Sequence, residues 1–256
     1  MNGSPTASGR QYGERTWSEV EEMAAAPPIV VIPSGAFEVY GPHLPLASDS
    51  IVASAVARLV ADRLGALCAP LVPVGDSRDL MSFPGTLTVE PAAFVAYLEG
   101  ICRSLIGWGF RDLLFLNTHA GNVTLIDGLA NRLIAEMGVR CLAIDWWRFS
   151  LRVGRDVLTD DEWAAGHAGQ LCTSVLMHLA PELVREGSYC DVVPPVDPWP
   201  SGIERYESYR DVTPSGVLGS PTLADPDKGR AIVELAVEEI VREARLRFGA
   251  EREEVG

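Results

Sequence analysis

Lysine is almost absent from this sequence, and basic residues as a whole are few. Lys228 is the single lysine among 21 basic residues, whereas aspartate and glutamate together number 35, which gives a formal net charge of −14 at pH 7. A surface that binds nucleic acid needs a concentrated basic face, and a strongly acidic protein is repelled by phosphate backbones and anionic lipids. The arginines are instead spread singly along the chain. We therefore expect neither a nucleic acid nor a membrane as a partner.

Long apolar runs and paired cysteines are also missing. No stretch reaches the roughly 18 consecutive apolar residues that a membrane-spanning helix requires, and the N-terminal segment contains no apolar core of the kind found in secretion signals. The five cysteines form an odd number without a CxxC pair, which is typical of proteins in a reducing compartment. These absences predict a soluble, cytoplasmic protein.

Several widespread catalytic motifs do not occur either. There is no GxSxG elbow, no Walker A loop and no HExxH zinc motif. The single Gly-x-Gly, at 107–109, follows a predicted helix and precedes a predicted strand, which is the wrong order for a dinucleotide site. The segment Gly75-Asp76-Ser77 is similar to the GDS nucleophile of one esterase class. That chemistry needs a downstream histidine as its base, and none follows His178.

The order of apolar patterns predicts an α/β fold. Of the 256 residues 47% are hydrophobic, and a chain of this length buries roughly three quarters of its unfolded surface, enough for one large core. Strands and helices alternate, which implies right-handed crossovers and a parallel sheet. We predict strands at 28–33, 67–74, 113–116 and 139–144, and helices at 50–64, 91–106, 124–137, 170–179 and 227–248.

The expected architecture is a three-layer sandwich, in which helices cover both faces of a mostly parallel sheet. Residues 1–14 are polar and rich in serine and glycine, so they are predicted to form a flexible arm before a single domain at 15–256. A charged stretch at 148–162 and a proline-rich loop at 192–202 interrupt the alternation.

Polar side chains cluster directly after the predicted strands. In an open α/β sheet, ligands bind beyond the carboxyl ends of the strands, so these positions are candidates for a site. Imidazole and carboxylate together are a donor set that holds divalent metals. One loop histidine alone favours a structural hydrogen bond, but three loop histidines with two carboxylates favour a metal site. The candidates are Glu38, Tyr40, His43, Asp49, Asn117, His119, Asn122, Asp145 and His167.

Two residues have competing interpretations. Asp49 immediately precedes an apolar helical pattern, so it is either a metal ligand or, like Ser48, a helix N-cap. His178 lies between apolar residues of a predicted helix and is interpreted as a histidine of the core or of the helix face.

Five sequence blocks, in order along the chain, resemble those of the creatininase (creatinine amidohydrolase) family. GAFEVYGPHLPLASD resembles the family signature GSTEQHGPHLPLxTD, FPGT matches its second block, and NTHAGN resembles NGHGGN. GHAGQLCTSVLMHLAPELV resembles the HAGxxETS segment, and TPSGVLGSPTLADPDKG resembles the GVxGDPTxA block. The last two blocks are most similar to the branch that contains the peptidase of mycofactocin maturation.

The resemblance implies a parallel-sheet α/β sandwich, a homo-oligomer of up to six chains, and metal-dependent opening of a C–N bond. The substrate would be a cyclic amide, another small molecule or a short peptide. Carried over by position, Glu38, Asp49 and His119 would hold the first divalent metal (Zn, Mn or Fe), with His167 near the reacting group. Trp163 aligns with a tryptophan that covers the substrate.

Two departures from the family pattern affect a second metal site. Tyr40 stands where the family has a metal-binding histidine, and Cys172 replaces an acidic residue of HAGxxETS. A neutral phenol is a poor metal ligand, whereas a thiolate binds zinc well. Cys172 is therefore either a rebuilt ligand or a small buried residue of a helix, and we favour the second interpretation. In that case one metal remains, and Tyr40 or His167 supplies proton transfer or stabilises charge.

The leading hypothesis is therefore a metal-dependent amidohydrolase with His167 and Tyr40 as catalytic residues. Further second-site or substrate contacts are expected from Cys172, Trp163, Asn122 and His43. The first alternative is a non-hydrolytic, metal-assisted lyase, isomerase or cyclase on the same scaffold, and the second is a non-catalytic binding protein.

Overall fold

Four short strands form a fully parallel sheet at the centre of the molecule. The computed structural model describes residues 11–159, 164, 166–193 and 208–249. The strands are β1 (Val30–Ser34), β2 (Leu67–Cys68), β3 (Asp112–Asn117) and β4 (Arg140–Asp145), in the spatial order β2-β1-β3-β4. All three neighbouring pairs are parallel, as the alternation of patterns predicted.

Helices connect the strands and cover both faces of the sheet. They are α1 (Trp17–Met23), α2 (Ser48–Leu64), α3 (Pro91–Gly107), α4 (Val123–Met137), α5 (Trp146–Gly154), α6 (Gln170–Leu179), α7 (Tyr209–Val212) and α8 (Pro226–Gly249). Proline begins α3, and glycines with left-handed backbone end α2 and α4, which are common signals at helix termini. None of the helices within the described ranges is both long and apolar enough to cross a membrane.

The core consists of two apolar clusters, one on each face of the sheet. Side chains at Val31 and Leu114 belong to the cluster under α2, α6 and α8, whereas Val30, Ile32 and Leu113 belong to the cluster under α3 and α4. Successive residues of a strand point to opposite faces, so strands buried on both sides are apolar throughout. The sandwich of three layers predicted from the sequence is confirmed.

Strand β2 and helices α1, α5 and α7 differ from the sequence prediction. The strand expected at 67–74 ends at Cys68, because Pro70 and Pro73 lack the N–H that a ladder needs, and Val72 adds only a single bridge to Ser34. Helix α1 was not predicted. Its signal was a capping box, in which the Thr16 hydroxyl accepts from the backbone of Glu19 and the Glu19 carboxylate accepts from that of Thr16.

Helix α5 lies in the stretch expected to be merely charged. It buries Trp146, Ser150 and Gly154, which are spaced four residues apart on one face. A Cβ at Gly154 would lie 2.7 Å from the Ile232 side chain of α8, so the helices approach closely there. Because two of these three buried residues are small, the face carried almost no apolar signal in the sequence.

Two predicted segments fall mainly outside the described residues. The arm expected at 1–14 is described from Gln11 onward, where Gln11 forms a parallel bridge with Cys68 and Tyr12 packs on the core. The proline-rich loop at 192–202 is described only to Val193. The division into an arm at 1–14 and one domain at 15–256 stays a prediction.

Helix α8 provides a test of the core. Ile240 is fully buried between α8 and its neighbours, whereas Leu235 on the same helix is 43% exposed. We expect Ile240→Ala to lower the free energy of unfolding by about 2–5 kcal/mol, and Leu235→Ala by less than about 1 kcal/mol. Urea denaturation followed by circular dichroism measures both changes. Equal losses would contradict the assignment of the buried face.

Candidate active site and metal centre

The candidate site lies at the carboxyl ends of the parallel strands. The register places Ser34, Asn117 and Asp145 side by side as the last residues of β1, β3 and β4. Glu38 lies in the loop after β1 and His119 directly after β3. The loops that leave adjacent strands at this edge therefore converge, as expected for an open α/β sheet.

Glu38, Asp49 and His119 form a buried cluster with metal-ligand geometry. One ligand atom from each of the three side chains lies within 4.8 Å of the others. His119 Nδ1 is 3.0 Å from Glu38 Oε2 and 3.4 Å from Asp49 Oδ2. All three side chains are almost inaccessible to solvent, so they meet inside the protein and not on its surface.

The Asp49 carboxylate faces this cluster and does not cap the helix. Helix α2 begins at Ser48, and its N-cap position, Ala47, has no side-chain cap. Asp49 Oδ1 accepts hydrogen bonds from the Tyr40 hydroxyl at 2.5 Å and from Trp147 Nε1 at 2.9 Å. Asp49 Oδ2 is buried and makes no hydrogen bond with the described residues, although it lies 3.4 Å from His119 Nδ1. Of the two interpretations of Asp49, the geometry therefore supports the ligand.

Backbone groups hold the His119 imidazole in one orientation. Its Nε2 lies 2.7 Å from the Asp76 carbonyl oxygen, which can only accept, so Nε2 carries the hydrogen and Nδ1 faces the carboxylates. A Cβ at Gly121 would come within 2.2 Å of that carbonyl and 2.6 Å of Nε2, so only glycine fits beside this bond. Such an outer hydrogen bond fixes which nitrogen of a histidine is free to bind a metal.

The pKa values of the three groups respond to burial and to one another. Burial by itself disfavours the His119 cation, but the Asp49 and Glu38 carboxylates, which face the imidazole and carry negative charge, outweigh burial and raise the pKa of His119 to about 11. Burial also tends to raise the pKa of Glu38, yet the bond and charge of His119 bring it below its usual value. The Asp49 pKa is raised by burial and by the neighbouring Glu38 charge. This pocket therefore requires a positive charge between its carboxylates.

The residues present fit a divalent cation. Two carboxylates and an imidazole are a common three-ligand set for catalytic zinc, and carboxylate oxygens also suit manganese. Such an ion would bind to Asp49 Oδ2, which makes no hydrogen bond with the described residues, and to His119 Nδ1, which faces the carboxylates.

His167 and Tyr40, the two residues predicted to be catalytic, both lie beside the cluster. His167 Nε2 donates to the Val39 carbonyl at 2.5 Å, which leaves Nδ1 facing Glu38 Oε1 at 3.9 Å. The rings of His167 and Tyr40 are 4.3 Å apart. Ala168, the next residue, has a φ of 55°, a left-handed backbone that is unusual for alanine and common at functional sites.

The other residues suggested as contacts have different positions. Cys172 is buried near the start of α6, and burial raises the pKa of its thiol to about 12, in keeping with a small core residue. Asn122 braces the loops by accepting from the Asp76 backbone and donating to Gly35. Trp163 lies outside the described residues.

His43 is packed in the core and does not line the cleft. Thr173 donates its hydroxyl to the Ala168 carbonyl, so His43 Nε2 donates to Thr173 at 2.9 Å. Burial lowers the pKa of His43 to about 4. The histidine is therefore neutral in the folded protein at pH 7.

The cluster opens into a cleft of about 250 Å³, and several of its lining residues were not singled out as site residues from the sequence. Ser77 donates to Glu38 Oε2 at 2.8 Å, and it belongs to the Gly75-Asp76-Ser77 segment that had been weighed only as an esterase motif. Trp147 also lines the cleft, where its Nε1 donates to Asp49 Oδ1. Tyr209 and Asp79 were not identified from the sequence, because each belongs to a short helical element that lies just outside a recognised block.

The chain is similar over nearly its whole length to known enzymes. A family model described as creatinine amidohydrolase matches residues 13–244. The mycofactocin precursor peptide peptidase of Mycobacterium ulcerans (strain Agy99) is 35% identical over 255 residues, covering 94% of each chain. Creatinine amidohydrolase of Pseudomonas putida is 30% identical over 252 residues, covering 92% of this chain and 96% of that one.

Solved structures agree with this relationship. A crystal structure of creatininase has a TM-score of 0.83 at 27% identity, covering 93% of this chain and 98% of that one. A mutant creatininase of Zn–Zn type and a manganese form, each 28% identical with the same coverage, have TM-scores of 0.82 and 0.80.

The parallel sandwich and the buried acid and imidazole cluster at its strand ends define a metal-dependent α/β hydrolase. The chain belongs to the creatininase (creatinine amidohydrolase) family. The predicted family and fold are confirmed. Metal-dependent amide hydrolysis is confirmed as the type of reaction of this family.

Replacing His119 tests the metal centre. We expect His119→Gln to reduce bound zinc by at least about tenfold, because the variant loses the nitrogen that faces both carboxylates. His178→Gln, on the accessible part of α6, is the matched control and should keep the parent zinc content. Elemental analysis after dialysis against micromolar zinc measures both. Parent-like zinc in His119→Gln would show that the site is misassigned.

His43 provides a test by pH. Its folded pKa of about 4 lies below the unfolded value near 6.5, so its contribution to stability is present above about pH 6.5 and is lost as the pH falls towards 4. We expect His43→Gln to show a shallower fall in the free energy of unfolding between pH 6.5 and 4 than the parent. Urea denaturation at a series of pH values measures the two slopes. Identical slopes would mean that His43 is not buried as a neutral base.

Proposed function

We propose that this chain hydrolyses an amide bond of a small molecule or short peptide with one divalent metal ion held by Glu38, Asp49 and His119. The observation that carries this proposal is the buried pair of carboxylates with a backbone-oriented imidazole and one unpartnered oxygen, Asp49 Oδ2. A divalent cation would supply the positive charge that the two carboxylates require once His119 gives up its Nδ1 proton. Zinc and manganese both match the donors, and iron is the remaining candidate.

The protein groups around the cluster can perform the remaining chemical work. A divalent ion bound there would polarise the substrate carbonyl and lower the pKa of a water molecule towards about 7. His167 has a free Nδ1 on the cleft side, since its other nitrogen donates to Val39. We infer that His167 accepts the proton of the attacking water and passes it to the leaving nitrogen.

A single ion is favoured by the contacts of Asp49 Oδ1. This oxygen already accepts from both Tyr40 and Trp147, so its lone pairs are occupied by hydrogen bonds. The pKa of Tyr40 is raised well above its ordinary value by burial and by the Asp49 charge, so the phenol stays protonated. The Cys172 thiol is also protonated in this environment. Tyr40 in this arrangement orients Asp49, and its catalytic role stays a prediction.

The names of two relatives indicate an amide as the class of substrate. One relative is named for creatinine and another for a peptide, so we propose a small molecule or short peptide for this chain. A cleft of about 250 Å³ accommodates the group around one scissile bond and leaves the rest of a peptide outside. We also propose that the protein is cytoplasmic, because its five free cysteines are in keeping with a reducing compartment. The proposal that it forms a homo-oligomer rests on the family resemblance.

Hydrolysis in water enriched in ¹⁸O tests the proposed reaction. We expect zinc- or manganese-loaded protein to cleave creatinine or the mycofactocin precursor peptide, with one ¹⁸O atom in the new carboxylate. His119→Gln should be slower by on the order of a thousandfold, because the electrophile and activated water are both lost. His178→Gln should match the parent. Cleavage by metal-free protein, or a product without ¹⁸O, would contradict metal-dependent hydrolysis.

A further inference from the structure

The hydrogen-bond donors of the cleft are nearly all committed to protein acceptors. Six lining side chains donate to carboxylates or carbonyl oxygens of the protein: Tyr40, Ser77, Thr118, His119, Trp147 and His167. Each donor that is held in this way orients the site but cannot also bind a substrate oxygen without breaking its bond.

Tyr209 is the exception among the lining side chains. Its hydroxyl makes no hydrogen bond to any residue in the described part of the chain, although its side chain lines the same cleft as Glu38 and His119. Burial, together with the negative charge of Glu38, raises the pKa of the Tyr209 phenol. The group therefore remains a neutral O–H donor throughout the physiological range.

The Tyr209 ring is held firmly in place. It packs edge to face on His167, with ring centroids 5.5 Å apart, and on Phe83 at 6.4 Å. The next residue, Arg210, donates to the Ser82 carbonyl at 3.0 Å and lies over the Phe83 ring. These contacts fasten α7 to the cleft wall, so the hydroxyl is held in position before a substrate arrives.

We propose that Tyr209 donates its hydroxyl hydrogen to the carbonyl oxygen of the substrate amide and stabilises the negative charge that develops there. This inference rests on the proposed hydrolytic function. A preorganised donor at a developing oxyanion is worth several kcal/mol in enzymes of acyl transfer. With a single cation, the oxyanion has one electrostatic partner fewer than in a two-metal site, and Tyr209 supplies a second.

Acetohydroxamate is a suitable probe, because its N–O⁻ and carbonyl oxygens chelate zinc, and the chelated carbonyl oxygen is polarised as an amide carbonyl would be. We expect Tyr209→Phe to weaken its binding to zinc-loaded protein by roughly tenfold, since a hydrogen bond to a charged oxygen is lost while the ring packing stays. Zinc content should not change. Tyr97→Phe, at an exposed position of α3, is the matched control and should bind the probe as the parent does. Isothermal titration calorimetry measures all three proteins.

Turnover gives a second readout. With the amide that the parent hydrolyses, Tyr209→Phe should lower kcat by on the order of a hundredfold and leave KM within about twofold. Equal acetohydroxamate affinity in parent and Tyr209→Phe, or no binding to the zinc-loaded parent, would overturn the proposal. Weaker probe binding in a protein that hydrolyses no amide would instead support the donor and contradict the proposed function.

Discussion

Two carboxylates and an imidazole meet, almost fully buried, at the wall of the cleft, and this arrangement is stable only with positive charge between them. Burial opposes ionisation of Glu38 and Asp49, and the Glu38 charge raises the Asp49 pKa further. In the metal-free protein a protonated His119 fills the requirement, with a pKa of about 11. A divalent ion would fill it better, because it replaces one charge with two. The fold around the cluster serves to hold these atoms in place.

The contacts around the three candidate metal ligands explain how the scaffold positions them for binding an ion. The parallel register brings the ends of β1 and β3 together, and Gly121 lets the Asp76 carbonyl approach His119. Tyr40 and Trp147 hold one oxygen of Asp49 and leave the other for an ion. The same scaffold occurs in relatives of Zn–Zn type and with manganese. In the proposed single-ion site, the contacts of Asp49 Oδ1 with Tyr40 and Trp147, and not the fold, limit the number of ions.

The sequence predicted the alternation of strands and helices because apolar runs with different periods mark them directly. It also predicted the family and the three candidate metal ligands, since these residues lie in contiguous motifs. It did not predict helix α5, whose buried face is formed by small residues at Ser150 and Gly154. Nor could it place Tyr209 at the cleft, because that contact depends on how α7 packs against Phe83 and His167, far away in the chain. For His43 the sequence suggested a site contact where the structure shows none, since this loop histidine of a motif that resembles the family signature packs in the core against Thr173.

One divalent ion is proposed to bind between Glu38, Asp49 and His119, and the electrostatics of the site depend on it. Anomalous diffraction at the zinc absorption edge, from crystals grown with zinc, tests it most directly. We expect a single peak per chain at about 2.0–2.2 Å from Asp49 Oδ2, His119 Nδ1 and a Glu38 oxygen. Two peaks, or a peak elsewhere with these three side chains unligated, would contradict it.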